Sequence, residues 1–149
     1  MRIYAVFSFC IILILLNANI SLAEMQFAGI IKSVKGNAII LRHGQSHEAM
    51  SGMKIFMKDV IKTDETCSIG LIFNDDTLVS MGHSSEIVID EYYFMPLEGR
   101  LSSVLKFIHG TIAYLSGQIS KLSPESVRLE TPVATIGVRG TQILIKIED

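Results

Sequence analysis

Beyond residue 24, apolar residues recur at every second position in short runs, and Gly, Asn, Asp or Ser closes nearly every run. That period places successive side chains on opposite faces of an extended backbone, and no run keeps a 3.6-residue helical period for more than a turn or two. The runs are AGIIKSV, NAIILR, SIGLIF, TLVSM, SEIVIDEYYF, SVLKFIHGTIAYLSG, SVRLETPV and TQILIKI. Counting the paired runs around Gly110, they predict about nine or ten short strands in one all-β domain, a β-solenoid (β-helix-like) or a sandwich.

Punctuation fixes some connections. Lys35 and Gly36 read as a tight turn between the first two strands, and Asn74-Asp75-Asp76 as the turn of a hairpin. Strict alternation along SEIVIDEYYF puts Ile87, Ile89 and Glu91 on one face and Val88, Asp90 and Tyr92 on the other. The stretch Leu115 to Ser126 has little apolar spacing and ends in Ser-Pro, so it reads as a surface loop with one helical turn.

The first residues follow a different grammar. Arg2, the apolar run Ile3 to Leu16, the polar break at Asn17 and Asn19, and small residues at Ser21 and Ala23 compose an N-terminal signal peptide, residues 1–23, with cleavage before Glu24. The apolar run is shorter than the roughly 20 residues of a membrane-spanning helix. Residues 24–149 are then one domain, exported to the periplasm or secreted, with no membrane span in the mature chain. Cys67 alone survives cleavage, so no internal disulfide is possible and the thiol reads as a small buried apolar group. Thirteen Lys and Arg against 15 Asp and Glu give a formal charge of −2, which recruits neither nucleic acid nor anionic lipid.

Candidate chemistry is sparse. His43, His47 and Glu48 in HGQSHE offer metal-ligand types, yet they sit between strands beside Gly44 and Ser46 and read as a solvated loop. His83 lies next to Ser84 and Ser85, but strand neighbours face opposite ways and no Gly-x-Ser-x-Gly elbow is present. An enzyme would need two of His83, Glu86, Asp90 and the histidine loop to converge. No catalytic residue, cofactor or metal site is assigned. In EYYF, one of Tyr92 and Tyr93 should face outward, where it could contact a partner.

Near the end of the chain, Pro132 forces Thr131 into an extended conformation, and Gly137 and Gly140 bracket Arg139. This spacing predicts a sharp bend before the last strand, with the Arg139 stem covering apolar surface and its fork donating to carbonyls or a carboxylate. It is no phosphate loop, which needs a different glycine pattern opening a helix.

The segment TPVATIGVRGT, residues Thr131, Pro132, Gly137, Arg139, Gly140 and Thr141 among them, resembles the C-terminal hallmark of the FecR domain, the periplasmic module named after the ferric citrate regulator. AGIIKSVKGNAIILR, the block Met50 to Phe94 and LKFIHGTIAYLSG are similar to the family's earlier strands, with Gly52, Asp59, Thr63, Gly70, Asp75 and Thr77 at its motif positions. Two departures stand out: Lys58 and Asp76 occupy positions where the family has glycine. The resemblance implies mainly structural roles for the motif residues. It also implies a free-standing, non-enzymatic, exported protein that binds an envelope protein, a receptor or regulator, with signalling as a candidate role. The alternative is a structural protein associated with the cell wall or its glycans.

Overall fold

The computed structural model describes residues 26–140 and 142–148; the expected leader, residues 1–23, and the motif residue Thr141 lie outside them. In chain order the strands are β1 (Phe27–Lys35), β2 (Ala38–Arg42), β3 (Gln45–Glu48), β4 (Lys54–Phe56), β5 (Val60–Thr63), β6 (Ser68–Phe73), β7 (Leu78–Met81), β8 (Glu86–Met95) and β9 (Arg100–Leu115). A short helix α1 (Gln118–Leu122) then leads to β10 (Val127–Glu130), β11 (Thr135–Gly137) and β12 (Gln142–Ile147).

β9, 16 residues long, belongs to two wings of one sheet. Its first half lies between β8 and the parallel strand β10, in a wing that continues β8-β5-β2-β3 on one side and β10-β11 on the other. Its second half lies between β7 and β12, in a wing that continues β7-β6-β1-β4. The sheet thus curls into a mostly antiparallel half-barrel. The corner is at Gly110, where φ is +94°. A Cβ at this position would lie 2.1 Å from the Ser85 hydroxyl oxygen, so only glycine lets the strand turn against buried Ser85.

The wings close over a shared core. Ile31, Leu71, Val79 and Tyr114 face inward from one, and Ile40, Ile61, Ile87 and Leu105 from the other, all at most 1% exposed. Each such side chain contributes about 1.5–3 kcal/mol through burial, before the opposing loss of chain entropy. Cys67 is buried in this core, and burial is the main cause that pushes its thiol up from the ordinary cysteine value.

Several expectations are corrected. The described residues contain twelve strands, because HGQSHE and Lys54–Phe56 also pair. The turn at Gly36, φ +85°, stands where it was expected and carries the chain from β1 in one wing to β2 in the other. The paired runs around Gly110 are one continuous strand bent at the glycine. SVRLETPV stops being a strand at Glu130, and Thr131–Ala134 forms a hairpin turn closed by the Thr131 N–H donating to the Ala134 carbonyl at 2.8 Å. In β8 the register slips between Ile89 and Glu91, leaving Asp90 as an extra residue. That bulge rotates Tyr92 onto the same face as Ile87 and Ile89.

Candidate functional site

Three motif clusters are buried polar anchors. Asp59, wholly buried, accepts a two-point grip from Arg42 (Nε to Oδ1 2.8 Å, Nη2 to Oδ2 2.7 Å) and the Phe56 N–H at 2.8 Å. The Arg42 guanidinium also covers the Phe56 ring at 4.5 Å, and the bond to Asp59 raises its already high pKa further. Thr63 donates its hydroxyl to the Gly82 carbonyl at 2.7 Å and accepts the Ser85 N–H at 2.8 Å. Ser85 in turn accepts the Thr111 N–H at 3.1 Å, which ties the Gly110 corner to β5.

Asp75 organises the third cluster. Its carboxylate accepts the Thr77 hydroxyl at 2.8 Å, the Tyr92 hydroxyl at 3.0 Å and the Ile119 N–H at 3.2 Å. The Thr77 hydroxyl accepts the Gly117 N–H at 3.1 Å. A Cβ on Gly117 would come within 2.2 Å of the Asp75 carbonyl oxygen, so the glycine is required for α1 to dock here. Burial is the leading cause that raises the Tyr92 phenol far above its usual value, with the Asp75 charge adding to it, and it pushes Tyr114 up to about 12.

The two departures from the glycine pattern occupy left-handed turns. Lys58 has φ +72° and Asp76 φ +65°. The Lys58 N–H donates to the Ile89 carbonyl at 2.6 Å and its ammonium pairs with Asp90 at 2.7 Å, contacts that help hold lysine where glycine is the easier residue. Asp90 also meets Lys106 at 3.1 Å; its hydrogen bond to Lys58 is the largest cause holding its carboxyl below the usual range. Gly52, at φ +85°, donates its N–H to the Ile31 carbonyl at 2.7 Å in the turn before β4.

The terminal motif borders a gap in the sheet. β10 pairs with β9 as far as Lys106, and β12 pairs with it from Gly110 onward. Among the described residues, no strand pairs with Phe107, Ile108 or His109 on that side. An apolar cleft of about 510 Å³ opens there, between the Thr131–Val133 turn, Ile136, Ile108 and the end of β12 from Ile145 to Glu148. Smaller hollows continue it along β9, one reaching Phe107 and Glu130 and the other His83 and His109. Val133 at its lip is 93% exposed. Gly140 has φ +61°, so the bend before β12 needs its freedom, whereas Gly137 ends β11 as its last residue, paired with Arg128 of β10.

Other candidate residues fall elsewhere. Tyr92 is 7% exposed and offers no surface to a partner, a correction that follows from the β8 bulge. Tyr93 faces outward beneath Arg100, whose guanidinium lies 3.7 Å from the ring centre. His43 and Gly44, both at positive φ, form the two-residue turn of the β2–β3 hairpin, and His47 and Glu48 belong to β3 itself rather than to a loop. Glu86 binds Lys62 at 3.1 Å and lies 3.4 Å from His109, while Asp90 holds Lys58 and Lys106. Sequence reasoning missed His109 and Ile108; only the end points of β10 and β12 on β9 expose them.

The fold and its anchors define a small all-β domain, a curled sheet pinned by buried carboxylates. A family model described as FecR protein matches residues 59–149, more than half of the chain. The chain belongs to the FecR family, which is related to signalling and regulation and is not a known enzyme family. No curated protein and no solved structure matches it. The strands β1 to β4 precede the matched residues yet complete the same sheet. No helix among the described residues is long and apolar enough to cross a membrane.

Proposed function

We propose that this chain is a non-enzymatic domain, exported by the leader 1–23, that binds a protein partner in the cell envelope as part of signalling. The gap on β9 carries this reading. A three-residue stretch of β9, Phe107 to His109, with no strand along its β10–β12 side among the described residues, floored by Ile108 and walled by Pro132, Val133 and Ile147, suits an extended peptide segment with aliphatic side chains. Such a segment would satisfy the β9 backbone and bury its side chains in the cleft, the usual division between affinity and specificity in strand addition. Family membership supports a regulatory interaction, and the Arg2, Ile3–Leu16 and Ala23 pattern supports export.

The test is photo-crosslinking from position 133 in the exported protein, with Ile108→Asp as the competing variant. Capture of a defined envelope protein that Ile108→Asp abolishes is expected. Equal capture by wild type and Ile108→Asp would remove the gap from consideration.

A further inference from the structure

We infer that the open edge of β12 is a self-association site, at which two copies of this chain join their sheets strand to strand. Among the described residues, β3, β4, β11 and β12 each have one neighbouring strand and so present a free edge. Three of these edges are blunted. β3 reads Gln-Ser-His-Glu, β4 is three residues long and begins at Lys54, and β11 is three residues long and ends at Gly137. β12 has six residues, QILIKI, with a single charge at Lys146. Natural sheets keep such an edge covered.

The register shows which β12 groups are free. The Gly82 N–H donates to the Thr111 carbonyl at 2.8 Å, so Thr111 turns its backbone groups toward the β7 side. Alternation along β9 then turns those of Ile112 and Tyr114 toward β12, where they meet Ile145 and Ile143. Gln142, Leu144 and Lys146 consequently present their N–H and C=O groups to the side away from β9, where no strand lies among the described residues.

This row of donors and acceptors is complementary to itself. A two-fold axis perpendicular to the sheet and passing beside Leu144 sets Leu144 opposite its own copy and Gln142 opposite the second copy's Lys146. Each of these pairs can exchange two backbone hydrogen bonds, and every contact occurs twice or lies on the axis, as an isologous interface requires. The inner faces match in the same register, because Ile143 falls opposite the second copy's Ile145. On the outer face Leu144, 72% exposed, gains a leucine beside it. Charge favours this register as well: centring the axis on Lys146 would set lysine against lysine, whereas here each lysine meets a glutamine. The contact is one strand wide and roughly 20 Å long, which places it among the weak, transient interfaces below about 1,200 Å². It uses the side of β12 away from β9 and does not depend on the gap.

Sedimentation equilibrium of the protein produced from the full chain tests this. The wild type should dimerise with a dissociation constant on the order of 100 μM. Leu144→Lys sets like charges opposite each other at the axis and should weaken dimerisation at least ~10-fold. Leu144→Pro removes an N–H that bonds no strand within one copy and should weaken it at least ~100-fold. Leu144→Lys alters only an exposed side chain, so it carries the test if Leu144→Pro fails to fold. Ser80→Lys, on the exposed outer face of β7 and two strands from the edge, should dimerise like wild type. Amide hydrogen exchange gives a second readout: between ~20 μM and ~1 mM the Leu144 N–H should slow several-fold, while those of Ile143 and Ile145, already bonded to β9, keep their rates. A wild type that stays monomeric at ~1 mM overturns the inference. So does a Leu144→Lys protein that dimerises as tightly as wild type, or a Ser80→Lys protein that does not dimerise.

Discussion

Removing one oxygen from Tyr92 isolates the energetic role of the Asp75 anchor. The Tyr92 hydroxyl donates to Asp75 Oδ1 and accepts the Asp75 N–H, both at 3.0 Å, in a site where Asp75 is 1% exposed. Tyr92→Phe keeps the ring and its tilted packing against Phe73, 5.2 Å between centres. It strands a buried N–H and leaves Oδ1 with only the Thr77 N–H, at 3.3 Å. A hydrogen bond to a charged acceptor contributes about 1.5–3 kcal/mol and a stranded donor costs about 1–3 kcal/mol; the two overlap, so the expected loss is ~2–4 kcal/mol. With a urea slope of about 1.5 kcal/mol/M, the unfolding midpoint should fall by roughly 1.3–2.7 M. Tyr93→Phe is the control: its hydroxyl makes no buried bond, its ring still lies under Arg100, and its midpoint should move by less than about 0.3 M. Equal midpoints for the two variants would refute the reasoning.

Two further outcomes test the other anchors. Arg42→Met strands the Asp59 carboxylate, which keeps only the Phe56 N–H, and should cost about 3–5 kcal/mol in urea unfolding; adding Asp59→Leu should recover much of that loss. Because Tyr114 ionises at about 12 when folded and near 10 when unfolded, its contribution is whole below pH 10 and lost progressively as pH rises through 12. That is ~3 kcal/mol, reinforced by the same direction of shift at Tyr92, and unfolding midpoints measured across this range should decline steeply; a flat profile would contradict the burial of both phenols.

The all-β class was legible because a period of two is a local property, visible within any five residues. The hairpin at Asn74–Asp76 was legible for the same reason, as was the helical turn after Leu115, where apolar spacing lapses. Tyr92 was not. Its burial depends on Asp90 having no opposite residue in β9, and a bulge is a count between two strands that one strand cannot announce. The turn at Lys35-Gly36 was legible but not where it leads, since pairing elsewhere sends its two strands into different wings. The gap on β9 is further still from local pattern, since it exists only where β10 stops and β12 begins. The glycine positions held by Lys58 and Asp76 show the reverse case, in which backbone shape persists without the residue that best suits it.

Because a single late strand is common property of both wings, neither half of the sheet is complete without the residues up to Leu115. The first hundred residues supply most of the strands yet lack the one that joins them. Joining the two wings therefore turns on one position, the corner at Gly110.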